Sequence, residues 1–192
     1  MAADKSMGLF ESESDVGVTP KQGSAKLDAA AKEYLVTGGG ENIWKDADAF
    51  HFVWVKLSGN AALTADLHFI GTGAVAHRKA ALMFRQSLEP GSAYADVALH
   101  GDGLTSLQYR PSAGAQTAEV RSELKGPSRL RIERRGDEFT ILVGESSGEL
   151  KPSGPVTVVL QDPVYVGLAV CSHDAQVLET ASFSGVRIEK LP

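Results

Sequence analysis

HFIGTGAVAHRKAALMFRQS, residues 68–87, decides between two folds. An apolar run ends at Ile70, and Gly71-Thr-Gly73-Ala-Val-Ala76 then satisfies the G-x-G-x-x-A pattern, with His77, Arg78 and Lys79 placed to greet an anion. Such a loop cradles a phosphate only where it leads into a helix inside a β-α-β unit, because the helix N-terminus supplies the anion site. The residues that follow instead alternate, with Ala80, Leu82 and Phe84 on one side and Ala81, Met83, Arg85 and Ser87 on the other. That is the period of a strand. It stops at Glu89-Pro90-Gly91. The stretch therefore predicts a hairpin turn or bulge between two antiparallel strands, in which Gly71 and Gly73 serve backbone geometry.

Outward from this point, short β-rich runs alternate with turn residues at the spacing of a sandwich or barrel. Strands are predicted over 34–37, 50–57, 63–70, 79–87, 94–100, 104–110 and 119–122, and again over 130–134, 139–143, 156–160, 164–172 and 181–189. Between them stand turn signals such as Gly38-Gly-Gly40, Ser58-Gly-Asn60, Gly101-Asp-Gly103 and Gly136-Asp137, whose residues supply positive or fixed φ. Only Ala25 to Tyr34 competes for a helix, and its shortness and glycine-rich flanks weigh against one. Residues 1–24 are polar and Ser-rich and read as an N-terminal arm or edge segment.

A chain of 192 residues suits one domain burying roughly 70% of its unfolded surface. Net charge is −5 and the basic residues are scattered, which leaves nucleic acid and anionic lipid without an electrostatic footprint. No apolar stretch approaches the roughly 20 residues of a membrane span, so membrane insertion is not expected. The first residues lack the apolar core of a signal peptide, so the chain is expected to be cytoplasmic, or an excised part of an exported periplasmic or extracellular protein. One cysteine, Cys171, permits no intrachain disulfide, and Cys171 with His173 lies too far apart along a strand to activate a thiolate.

Glu11-Ser-Glu13-Ser-Asp15 places three carboxylates on one side of an extended chain, but polar flanks give no desolvation to raise a pKa, so a solvated acidic arm is expected. His51, His68, His77, His100 and His173 have no zinc-ligand spacing, and no metal site or cofactor is expected beyond a structural calcium to which Asp46 and Asp48 could contribute.

Alternation assembles one more informative set. Arg85, Tyr94, Asp96, His100, Gln108 and Arg110 fall on the polar face of three neighbouring runs. Planar polar side chains with aromatic rings suit sugar hydroxyls and ring faces. The same residues equally suit an outward sheet face laced with cross-strand ion pairs.

Several blocks in order carry a resemblance: Asn42-Ile-Trp44 with Asp48-Ala-Phe50-His-Phe-Val-Trp54, His77-Arg-Lys79 through Ser87, His100-Gly-Asp-Gly103 through Arg110, Leu130-Arg-Ile-Glu-Arg-Arg-Gly136 and Val166-Gly-Leu-Ala-Val-Cys-Ser-His173. From Phe10 to Glu189 the chain resembles the bacterial concanavalin A-like domain family called DUF1349, related to laminin G-like and family 16 glycosidase-like folds. The resemblance implies an all-β jelly-roll sandwich of two antiparallel sheets over residues 25–192, with a concave face that holds carbohydrate in related lectins. It also implies a larger exported parent, such as one with TolB-like propeller repeats. No Glu-x-Asp-x-Glu run lies on a core strand, which weighs against carrying over glucanase activity.

The expected function is non-catalytic glycan binding on the concave sheet. Arg85, Arg110 and Gln108 would donate to hydroxyls, Asp96 would accept and orient Arg85, and Tyr94 or Trp54 would form the aromatic platform. Two other classes stand beside it. One is a glycoside hydrolase or lyase pairing Asp96 with His100 or Glu119. The other is a protein-interaction module that assembles with a partner or parent protein.

Overall fold

The computed structural model describes residues 7–73 and 75–192, and every regular element among them is a strand. The first sheet contains β1 (Ser12–Val16), β6 (Phe50–Leu57), β8 (Lys79–Arg85), β9 (Tyr94–His100), β10 (Thr105–Arg110), β11 (Ala118–Arg121) and β15 (Val164–Cys171), in the order β1-β6-β15-β8-β9-β10-β11. The second contains β2 (Ser24–Asp28), β3 (Glu33–Gly38), β7 (Ala61–Ile70), β12 (Arg129–Arg135), β13 (Glu138–Gly144), β14 (Lys151–Thr157) and β16 (Glu179–Lys190), in the order β14-β13-β12-β7-β16-β3-β2. A small hairpin, β4 (Ile43–Trp44) with β5 (Ala47–Asp48), stands apart from both. All pairings are antiparallel.

The two sheets meet over alternating apolar residues. Leu82 and Phe84 of β8, Val97 of β9 and Val166, Leu168 and Val170 of β15 face Leu63, Ile132, Ile141, Phe139 and Phe183 of the second sheet, all fully buried. Each such side chain contributes roughly 1.5–3 kcal/mol by leaving water. Prolines 152 and 155 fall in β14, at the edge of its sheet, where a missing N–H costs least.

The outer face of the second sheet is the one laced with ion pairs. Arg129 forks onto Asp66 at 2.7 and 2.8 Å, and Arg131 bonds Glu133 at 2.7 Å and also Glu189. The outer face of the first sheet is buried instead, beneath the chain from Gly38 to Ala49, which contributes Ile43 to a second cluster with Phe50, Phe52, Met83 and Tyr94.

Three local expectations change. β7 and β8 lie in different sheets, so residues 71–78 cross from one sheet to the other and the expected hairpin does not form. Ala74, within that loop, lies outside the described residues. Ala25 to Tyr34 forms parts of two paired strands, β2 and β3, whose turn is capped by Asp28 Oδ1 accepting from the N–H groups of Ala30 and Ala31 at 3.0 Å. The acidic run is not a solvated arm. Residues 12–16 pair with β6, and Asp15 and Glu13 bond the two ring nitrogens of buried His51 at 2.8 and 3.2 Å. That gives carboxylates in a polar segment a reason to order there.

Candidate functional site

The register of the first sheet lays its outer face out in rows. One row runs Tyr165–Arg85–Tyr94–Arg110, and the next runs Gly167–Met83–Asp96–Gln108–Glu119. A third runs Ala169–Ala81–Ala98–Ser106–Arg121, and a fourth Cys171–Lys79–His100. Directly paired residues in an antiparallel sheet share a face. The third row is built of small side chains until its last member, and its alanines are buried in the same cluster as Ile43.

The first row is a staple. Asp48 Oδ1 and Oδ2 accept from Arg110 Nη2 and Nη1 at 2.7 Å each, and Oδ2 also accepts from Arg85 Nη1 at 3.1 Å. All three side chains are fully buried. The other guanidinium bonds go to carbonyls, Arg85 to Ser87 and Glu89 and Arg110 to Trp44, Lys45, Pro90, Ser92 and Ala115, and Arg85 Nη1 also donates to Met83 Sδ. Tyr94 lies beneath, its ring centroid 5.0 Å from the Arg110 guanidinium carbon and its hydroxyl 3.3 Å from Thr117 Oγ1.

Arg85, Arg110 and Tyr94 are thus occupied in pinning the β4–β5 hairpin to the sheet. The expected orientation of Arg85 by Asp96 is not seen: its carboxylate is Asp48. Nor is Asp48 left over for calcium, since both its oxygens already serve arginines. Among the described residues no group of three or more His, Cys, Asp or Glu side chains is arranged to hold a metal. Trp54 packs edge-on against Tyr165 at 4.9 Å, and its Nε1 donates to Ser14.

Beside this covered part the face is open. A hollow of about 220 Å³ is walled by Trp44, Lys79, His100, Gln108 and Glu119, with His77, His173 and Arg121 at its margin. His100 and Gln108, expected from alternation, are here. Alternation assigns no ligand contact to Trp44 or His173, and His77 and Lys79 enter the sequence reading only as part of the rejected phosphate loop, although all four stand in the quoted blocks.

A wider groove of about 700 Å³ shares Asn42, Trp44 and His173 with the hollow and continues along the hairpin to Pro90. Half-buried Trp44 stands between the two. Lys79 fixes its hairpin, Nζ donating to Asn42 Oδ1 and Ile43 O at 2.8 Å and lying 5.4 Å from the Trp44 ring centroid.

Unmet polar groups gather beneath the hollow. Both oxygens of Asp96, Oε1 of Gln108 and Oγ of Ser106 are buried and lack hydrogen bonds of good geometry, as does Nδ1 of His173. Buried polar atoms of this kind ordinarily have partners. His173 also holds φ at +59°, a left-handed conformation costly for a non-glycine residue.

Burial drives the Asp96 carboxyl well above its ordinary range, against the pull of Lys79. Lys79 is lowered, first by burial, with Asp96 opposing. His100 falls to about 4 through burial and the charge of Lys79. At neutral pH it is an uncharged imidazole, and because Nδ1 lies 3.0 Å from the Leu104 carbonyl, Nδ1 carries the proton and Nε2 is an acceptor. Glu119, which burial alone would raise, is lowered on balance by the Arg121 guanidinium bonded to it at 2.6 Å.

The class these features define is a concanavalin A-like jelly roll with a hollowed sheet face. No protein-family model matches the chain, and no curated protein does. Solved structures do. A functionally unknown protein from Saccharomyces cerevisiae aligns with TM-score 0.67 and 14% identity over 88% of this chain and 92% of its own. The GH43 protein BlXynB from Bacillus licheniformis aligns with TM-score 0.64 and 11% identity over 88% of this chain but 35% of its own. Lectin II from Ulex europaeus aligns with TM-score 0.56 and 12% identity over 95% and 100%. At these identities the likeness is one of fold, shared by carbohydrate-binding lectins and glycoside hydrolases alike.

Proposed function

We propose that the protein binds a glycan or related polyhydroxy ligand in the hollow beside Trp44, without cleaving it. The observation that carries this reading is the hollow itself, in which half-buried Trp44 stands with the hydrogen-bonding side chains of His100 and Gln108 on one wall. Ligand hydroxyls would pair with Gln108 and with His100 Nε2, and an aromatic face accepts the apolar side of a sugar ring. The lectins among the structural neighbours support the reading by fold.

Gln108 and His100 keep the contact roles expected for them, and Trp44 replaces Tyr94 and Trp54 as the platform. Arg85 and Arg110 act at one remove, by holding Trp44 in place. The same reading takes the chain as a relative of the bacterial DUF1349 domains, on the ordered sequence blocks alone, and leaves room for a parent or partner protein.

Calorimetric titration with a panel of oligosaccharides tests the proposal. Binding by at least one of them, weakened about 10-fold in Trp44→Ala with the fold intact, is the expected result, about 1.4 kcal/mol. Absence of binding across the panel, or unchanged affinity in Trp44→Ala, would overturn it. Release of shortened products would show that the site is catalytic.

A further inference from the structure

The wall of the hollow is basic in a chain whose net charge is −5. Lys79, Arg121, His77, His100 and His173 contribute basic groups, and Glu119 contributes the one carboxylate on the wall. With neutral histidines the wall carries a formal charge of +1, from two cations and one anion. Glu119 is already committed to Arg121 at 2.6 Å.

Lys79 is only 3% exposed, and its two hydrogen bonds go to the neutral oxygens of Asn42 and Ile43. The other carboxyl on this part of the sheet, Asp96, is driven by burial toward its uncharged form. A buried ammonium held by neutral acceptors is costly unless a counter-charge arrives, and a concave wall of net positive charge favours anionic ligands.

We infer that the hollow selects an anionic sugar, with the carboxylate or sulfate of the ligand directed at Lys79 and approaching past Arg121. This rests on the glycan-binding reading and names the ligand class within it. Gln108 and His100 Nε2 then meet hydroxyls of the same ring, while Trp44 covers its apolar side.

The test is calorimetry on the full chain with four tetrasaccharides at about 50 mM salt: tetragalacturonate, its full methyl ester, a heparin-derived sulfated tetrasaccharide and xylotetraose. The acid and its ester share every ring and hydroxyl and differ in charge. At least one anionic tetrasaccharide is expected to bind 10-fold or more tightly than the neutral ones, with the gap narrowing as salt rises and shortens the Debye length.

Arg121→Glu and His77→Glu each add negative charge at an exposed position and are each expected to weaken binding of the anionic ligands at least 5-fold more than that of the neutral ones. Lys79→Met is expected to abolish the preference. If that variant fails to fold, the two exposed variants decide. Tighter binding of the sulfated than of the carboxylated form identifies the anion and upholds the inference. Equal affinity for acid and ester with no sulfated preference, or preference for xylotetraose, removes the inference and leaves glycan binding standing. Silence in all four titrations removes both.

Discussion

Asp48 receives two parallel hydrogen bonds from the Arg110 guanidinium, Nη2 to Oδ1 and Nη1 to Oδ2, each 2.7 Å long, with neither side chain exposed. The residues lie 62 positions apart, and this fork-to-fork contact lets a two-strand hairpin with few apolar residues cover a sheet. Arg85 adds a third strut.

Asp48→Ala would leave two guanidinium groups buried without a counter-charge. Loss of one partner from a buried ion pair costs about 3–5 kcal/mol. Urea unfolding should show a loss of that order, together with greater quenching of Trp44 by acrylamide as the hairpin lifts. A loss below about 1 kcal/mol would mean that the backbone bonds from Thr117 to Lys45 and from Asp48 to Pro90 hold the hairpin unaided.

Asp96 should make the protein less tolerant of alkali than of mild acid. Its unfolded carboxyl ionises near 3.8, whereas burial raises the folded value. Above about pH 4 the folded state therefore holds more protons than the unfolded one, and the group's contribution, complete below that pH, declines as the pH climbs. Asp96→Asn cannot ionise, so its stability relative to wild type should improve progressively as the pH rises above about 4. Denaturant midpoints at several pH values would show it, and a pH-independent difference would contradict it.

His100 acts in the opposite direction. Its pKa drops from 6.5 unfolded to about 4 folded, so the stability it gives is present above pH 6.5 and disappears as the pH falls toward 4. The full swing is on the order of 3 kcal/mol. An NMR titration should find the His100 ring protonating near pH 4, and His100→Gln should be less sensitive to acid between those limits.

Gly167 has no room to change. A β-carbon there would sit 1.8 Å from the Val53 carbonyl oxygen on the neighbouring strand. Gly167→Ala must push β15 and β6 apart, at the upper end of the 1–3 kcal/mol typical of overpacking. For a chain of this size that lowers Tm by about 6–12 °C, readable by thermal melt.

Alternation read the strands and their faces well, because side-chain period is a local property of the sequence. Leu82 and Phe84 face inward, and Arg85, Asp96 and Gln108 share the other side, as their spacing says. Alternation could not show what lies on top of that side. Whether Arg85 meets a ligand or Asp48 depends on where a hairpin 37 residues earlier in the chain comes to rest, and two short strands carry little pattern. For the same reason Asp15 read as solvated: its partner, His51, lies 36 residues away. The crossing after β7 was hidden too, since a glycine-rich loop looks alike whether its strands pair or part.

Trp44 belongs to the hairpin, whereas Lys79, His100 and Gln108 belong to the sheet. Platform and polar contacts are therefore separable parts of the site. A change confined to the hairpin would alter which ring face is accepted, so a lineage, or an engineer, can replace the roof of the site while keeping its floor.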